Sequence, residues 1–241
     1  LLPFYTVYRA LVRAKVAALQ ARERDDPGAA RGLREEARRH FALAEDVAAR
    51  DEAMLVIARG VTGVGKSLLS GPILARLGGV RIRSDVERKR LAGLEAGERS
   101  GSPVGGGIYS EDLSARTYWR LLELARPVLA AGFPVLLDAT YLAAARRARA
   151  RELARELRAP FAILALEAPE PLIRGWLRER AEAEGAVSEG DEAVLDHQLA
   201  VAEPLDAEEE ALTVRVDTSR EPDFDTLTAT LRATARVPDP S

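Results

Sequence analysis

The sequence predicts an α/β fold built around one parallel sheet, and three observations predict it. The run Gly60-Val61-Thr62-Gly63-Val64-Gly65-Lys66-Ser67 fills every fixed position of the P-loop pattern G-x-x-x-x-G-K-[ST]. The stretch Ala53-Met54-Leu55-Val56-Ile57-Ala58 reads as a buried strand entering that loop, and Ser67-Leu68-Leu69-Ser70 onward reads as the helix leaving it. From residue 51 on, apolar strand-like runs alternate with helical patterns, the order that a parallel sheet with helical crossovers requires.

Ahead of this region, Phe4, Tyr8, Leu11, Val12, Val16 and Leu19 recur at helical spacing over residues 4 to 20. Asp25-Asp26-Pro27-Gly28 makes a turn, and a second helical pattern from about 30 to 50 sets Leu33, Ala37, Phe41, Ala44 and Val47 on one side. The two make an N-terminal helical hairpin, too small to bury its apolar surface alone and therefore expected to dock on a neighbouring domain. Residues 1 to 24 carry five Lys or Arg against one Glu. That excess reads as a solvated helix face, with a nucleic-acid arm as the alternative.

After the first strand, four more are expected at 80–83, 133–137, 161–166 and 212–216. Helices are expected at about 66–77, 110–131, 143–158, 170–184, 191–200 and 223–235, with Ser110 as an N-cap. The domain reading is a helical segment at 1–50, a P-loop domain at 51–236 and a tail at 237–241.

Composition narrows the function classes. With 47% hydrophobic and 30% charged residues the chain is a globular one, and no apolar run approaches the roughly 18 residues of a membrane span. Cysteine is absent and His40 and His197 are the only histidines, which excludes disulfides and thiolate zinc and disfavours a histidine metal site. The net charge of -3 argues against binding duplex nucleic acid through one large basic face and leaves a local groove open. A cytoplasmic location is expected. The opening Leu1-Leu2-Pro3, with neither Met nor a signal-peptide pattern, reads as part of a longer polypeptide.

The loop points to ATP with Mg²⁺. Glycines 60, 63 and 65 let successive N–H groups turn toward a phosphate chain, with Val61, Thr62, Val64 and Leu68 completing the cradle. Lys66 is placed for the β- and γ-phosphates, and the Ser67 hydroxyl for the metal. In open parallel sheets the ligand lies beyond the carboxyl ends of the strands, so polar residues just after each strand are the candidates. After the second strand, Asp85 is suited to take a proton from an attacking hydroxyl, and Arg88 one turn later to hold an anionic part of the acceptor. The alternative is that Asp85 caps a helix starting at Val86. After the third strand, Asp138 has the form of a Walker B metal carboxylate, with Thr140 beside it. Arg174, Arg178 and Arg180 form a candidate lid, with Arg178 placed as catalytic and Arg174 left open, although Glu170, Glu179, Glu182 and Glu184 would also suit an exposed ion-pair surface. Glycines 101, 105, 106 and 107 before Tyr109 suggest an acceptor loop, and Asp217 ends the fifth strand where adenine would lie. His197 and Gln198 read as lid-helix packing or surface.

The run Ile82-Arg83-Ser84-Asp85-Val86-Glu87-Arg88-Lys89-Arg90, with the P-loop, Ile108-Tyr109-Ser110 and Leu136-Leu137-Asp138-Ala139-Thr140, resembles the P-loop predicted-kinase family related to polynucleotide kinases, zeta toxins and gluconate kinases. In particular it looks like the ATP-binding half of bacterial two-domain proteins that join an aminoglycoside-phosphotransferase-like domain to such a kinase. The likeness covers about 52 to 236, and residues 1 to 50 resemble the closing helices of the upstream domain. The resemblance implies a three-layer P-loop NTPase sandwich with sheet order 2-3-1-4-5, an acceptor-binding Ser-Asp-x-x-Arg element at Ser84, Asp85 and Arg88, and an arginine lid. It implies transfer of the γ-phosphate of Mg-ATP to a hydroxyl of a small-molecule acceptor. The alternatives are a polynucleotide 5'-hydroxyl kinase and a nucleotide-sensing module that regulates the upstream domain. The chain departs from its relatives at Leu68, where they usually carry Thr. It also lacks the His-Gly-Asp and Asp-Phe-Glu motifs of aminoglycoside kinases.

Overall fold

A computed structural model describes residues 2–24, 26–48, 53–95, 110–183 and 189–238. The chain divides into two units, Leu1–Glu52 and Ala53–Ser241.

The first unit is a pair of packed helices, α1 (Leu2–Arg22) and α2 (Pro27–Ala48). Its buried side chains are small: Ala10, Ala14, Ala17 and Ala21 on α1, Ala30 and Ala44 on α2. Alanines at i, i+4, i+7 and i+11 make a stripe without bulk, which lets two backbones approach closely. The large residues at helical spacing therefore fall elsewhere, and Tyr8, Leu11, Val12, Val16, Leu19 and Phe41 are exposed.

The second unit alternates as the sequence predicts: β1 (Leu55–Arg59), α3 (Lys66–Leu77), β2 (Val80–Arg83), α4 (Ser84–Leu91), α5 (Glu111–Ala130), β3 (Val135–Asp138), α6 (Ala144–Glu156), β4 (Phe161–Glu167), α7 (Glu170–Ala183), α8 (Glu189–Ala200), α9 (Ala207–Ala211), β5 (Thr213–Asp217) and α10 (Phe224–Thr234). The five strands form one parallel sheet in the order β2-β3-β1-β4-β5. Residues of β1 alternate between its two faces. Val56 and Ala58 join a core with α3, α7 and α10, while Leu55 and Ile57 join a core with α5 and α6. That two-sided burial explains why β1, β3 and β4 read as unbroken apolar runs.

Two elements differ from expectation. Helix α4 begins at Ser84, straight out of β2, and the short α9 was not anticipated. α9 is set by a capping box in which Asp206 accepts from the Glu209 N–H and the Glu209 carboxylate accepts from the Asp206 N–H. The buried Glu209 side chain also pairs with the buried Arg147 of α6, Oε1 accepting from Nε at 2.7 Å and Oε2 from Nη2 at 2.9 Å. Arg147 further donates to the carbonyls of Leu142 at 2.8 Å and Pro204 at 2.7 Å. One guanidinium thereby ties the segment after β3 to the segment after α8.

Candidate functional site

Strand register brings three carboxyl ends side by side, with Ala58 beside Asp138 and Asp138 beside Arg83. A cavity of about 1170 Å³ opens at this edge of the sheet. Thr62, Gly63, Gly65, Lys66 and Ser67 line it from the loop, Asp85 and Arg88 from α4, Asp138 and Thr140 from the end of β3, Arg180 from α7, Gln198 from α8, and Thr218 from the end of β5.

The loop is built from its glycines. Gly63 and Gly65 sit at φ of 78° and 90°, left-handed values that other residues resist. A Cβ on Gly63 would also lie 2.8 Å from Leu177, so α7 can approach only because none is there. Gly60 is fixed by a hydrogen bond from its N–H to the Thr140 carbonyl at 3.0 Å, and a Cβ there would meet the Leu166 carbonyl oxygen at 2.9 Å. Val64 and Leu69 anchor the loop in the core, while Val61 is half-buried. Gly65 is the N-cap of α3 and offers no side chain to its first N–H groups, the arrangement that leaves a helix N-terminus ready for an anion. Ser67 and Leu68 are exposed in the first turn.

Lys66 is folded back over this loop, its Nζ donating to the Gly60 carbonyl at 2.8 Å and the Val61 carbonyl at 2.6 Å. Burial lowers its ammonium to about 8, with Asp138 opposing the shift and Arg180 adding to it.

Asp138 is buried and accepts from Arg81 of β2, at 2.9 Å from Nε and also from Nη2. Arg81 was not singled out from sequence, because the residues lie 57 positions apart and meet only through β2–β3 pairing. Asp85 is exposed in the first turn of α4, so it does not cap a helix starting at Val86. Its carboxylate accepts from Arg83 at 3.1 Å from Nε and 2.6 Å from Nη2. Arg88 lies one turn on, and its Nη1 donates to Ser114 Oγ at 2.9 Å, which joins α4 to α5. Thr140 Oγ1 pairs with the Tyr118 hydroxyl at 2.9 Å. Tyr109 and the glycines at 101, 105, 106 and 107 lie outside the described residues.

The lid arginines separate by helix face. Arg174 pairs with Glu170, Glu192 and Asp196, and Arg178 with Glu192 at 2.8 Å, so both tie α7 to α8. Neither lines the cavity; Arg180 does. The ion-pair alternative thus describes Arg174 and Arg178. Asp217 does not line the cavity and is held at about 2 chiefly by the Ser219 hydroxyl and N–H and then by Arg220, while its neighbour Thr218 lines the cavity beside Gly65.

His197 and Gln198, read as packing or surface, both line the cavity. The Thr62 N–H of the loop donates to Gln198 Oε1 at 2.7 Å. The signal lies in the sequence, since Val194, His197 and Gln198 recur at helical spacing on α8 and all line the cavity.

The donor set fits a nucleotide polyphosphate. Left-handed glycines, an uncapped helix N-terminus and the Lys66 ammonium converge on one volume, which the Asp138 carboxylate and the Ser67 hydroxyl also line. Among the described residues no three His, Cys, Asp or Glu side chains cluster to form a cage for a metal. Mg²⁺ bound through one or two protein groups plus substrate phosphates needs no such cage.

Fold and loop together define a P-loop α/β protein. The chain belongs to the AAA domain family, whose profile matches residues 55–205. It is 33% identical over 153 residues to the uncharacterized protein Rv2004c of Mycobacterium tuberculosis, which corresponds to 63% of this chain and 29% of that protein. The chain thus spans under a third of the length of the curated relatives it matches. The same fold occurs in a sugar kinase from Janibacter sp. HTCC2649, with a TM-score of 0.53, 19% identity, and 74% of this chain and 91% of that one covered. It also occurs in a candidate kinase from Chloroflexus aurantiacus j-10-fl, with a TM-score of 0.57, 16% identity, and 76% and 95% covered.

Proposed function

We propose that this chain is an ATP-dependent phosphotransferase that moves the γ-phosphoryl group of Mg-ATP to a hydroxyl of a small-molecule acceptor. The observation that carries the reading is that one cavity is lined by two sets of groups. Lys66, Ser67 and the N-terminus of α3 supply a phosphate site, and Asp85 and Arg88 line the same cavity from α4. A nucleotide site alone needs only the first set. A carboxylate and an arginine in the same cavity are what a hydroxyl-bearing acceptor requires.

In this reading Lys66 leaves the Gly60 and Val61 carbonyls to pair with the β- and γ-phosphates, and the N–H of Thr62 leaves Gln198. Ser67 and Asp138 would hold Mg²⁺, which would neutralise charge on the phosphates. Arg81 orients the Asp138 carboxylate by its two-pronged contact. Asp85, oriented by Arg83, accepts the acceptor's hydroxyl proton as the oxygen–phosphorus bond forms and the bond to the leaving ADP breaks. Arg88 holds an anionic group of the acceptor, and Arg180 meets charge on the transferred phosphoryl group. The fold shared with a sugar kinase supports the reaction class.

The test is transfer of label from γ-labelled ATP with Mg²⁺ into a bacterial small-molecule extract, with Lys66→Ala and Asp85→Asn as controls. Labelled product that both variants lose is the expected result. ATP binding without product in the extract, in a sugar set or in an oligonucleotide set would overturn the assignment. Asp85→Asn at full kcat would remove Asp85 from its role.

A further inference from the structure

Beside that cavity lies a second, of about 510 Å³, between α5 and α6. This is within the roughly 300 to 1,000 Å³ of small-molecule sites. Arg116, Trp119 and Arg120 line it from α5, and Arg146 and Arg149 from α6. Tyr118 and Tyr141, both buried, complete it, their rings edge to face with centroids 5.1 Å apart. Tyr118 and Arg146 line both cavities, so the two are neighbours through shared side chains.

Three features of this groove have no role in the fold or in the proposed reaction. The first is charge. Arg116 pairs with Asp112, and Arg120 with Glu87 and Glu123, but among the described residues Arg146 and Arg149 have no carboxylate partner. Arg146 lies with its guanidinium 4.2 Å from the centre of the Tyr118 ring, a stacked position that leaves its N–H edge free for an anion. The second is Trp119, 60% exposed on the groove wall and offering a planar surface. The third is Tyr141, which lines the groove and whose hydroxyl, fully buried, has no hydrogen-bond partner among the described residues. A buried polar group left unpaired is costly, and this one sits on a backbone at φ 45° that a tyrosine resists. Burial, with Tyr118 adding, holds the phenol protonated.

We propose that this groove binds a planar, anionic ligand of mononucleotide size, a phosphorylated aromatic heterocycle. Its ring stacks on Trp119, and its anionic group lies against Arg146 and Arg149. Naming that ligand as part of the acceptor rests on the kinase reading above; its binding does not.

The experiment is calorimetric titration of the purified chain, with the P-loop first saturated by the Mg²⁺ complex of a non-hydrolysable ATP analogue. AMP is the probe, with adenosine and inorganic phosphate as its ring-only and anion-only halves. AMP binds saturably, and each half binds at least about tenfold more weakly. Arg149→Glu weakens AMP at least about tenfold and Trp119→Ala about fivefold or more. Both substitutions are at solvent-facing helix positions, and both leave affinity for the ATP analogue unchanged. Failure of AMP to bind under these conditions overturns the proposal. So does AMP binding that Lys66→Ala abolishes and Arg149→Glu leaves intact, since that places the ligand on the P-loop. Groove binding without any label transfer would sink the kinase reading alone, and label transfer with no groove binding would sink this one alone.

Discussion

Lys66 offers the sharpest numerical prediction, because its surroundings set when it carries charge. The ammonium is folded into the loop, and burial brings it down to about 8 from an ordinary value of 10.5. A lysine displaced in this direction is cationic below the shifted value and neutral above it. Polyphosphate binding needs the cation, so affinity is full near neutral pH and falls as pH rises through about 8. The cationic fraction is about three quarters at pH 7.5 and about 3% at pH 9.5, so the apparent Kd should rise roughly twentyfold across that span. The Mg²⁺ complex of a non-hydrolysable ATP analogue is the ligand, titrated calorimetrically in buffers of different ionisation enthalpy. Proton uptake on binding should approach one at the alkaline end. A guanidinium does not titrate in this range, so Lys66→Arg should give a flat profile with no proton uptake. A wild-type profile flat within twofold, or a Lys66→Arg profile as steep as the wild type, refutes the reasoning. The same shift acts on folding with its own sign. Between about pH 8 and 10.5 the unfolded chain holds a proton that the folded chain has lost, so stability contributed at this site rises with pH.

Removing one partner of the buried Arg147–Glu209 pair, as in Arg147→Met, should cost about 3–5 kcal/mol and lower Tm by about 10 °C. Adding Glu209→Leu should recover part of that loss, and strict additivity in urea unfolding would show that the two do not interact. Gly60→Ala puts a methyl 2.9 Å from the Leu166 carbonyl oxygen and 2.8 Å from Val64 Cγ1, and should cost about 1–3 kcal/mol by the same measurement, with a loss of nucleotide affinity that calorimetry would read. Arg180→Ala should lower kcat roughly a hundredfold or more, while Arg178→Ala changes kcat by less than about threefold. The reverse order would return the catalytic role to Arg178.

Features carried by consecutive residues were legible in the sequence. The loop at 60–67 could be read because its glycines, lysine and serine act through their own backbone and are adjacent in the chain. The alternation of strands and helices could be read because each strand buried on both faces is an unbroken apolar run. Register of parallel strands then placed Asp138 beside Arg83, the last residue of β2, two residues before Asp85.

Rotation of helices and meetings of distant residues were decided only in the tertiary structure. Helical spacing says that Arg174 and Arg178 share a face and that Arg180 lies on the other, but not which face meets the cavity. Packing of Ile173, Leu177 and Ala181 on the core settles that, and turns the first two toward α8. In the first unit the same uncertainty led the reading to the large apolar residues, whereas close packing selects the alanine stripe. Arg81 with Asp138, Gln198 with Thr62, and Arg147 with Glu209 are separated by 57, 136 and 62 residues. No local periodicity encodes such pairs, because side chains so far apart in sequence become neighbours only after the sheet has assembled and the helices have settled on it.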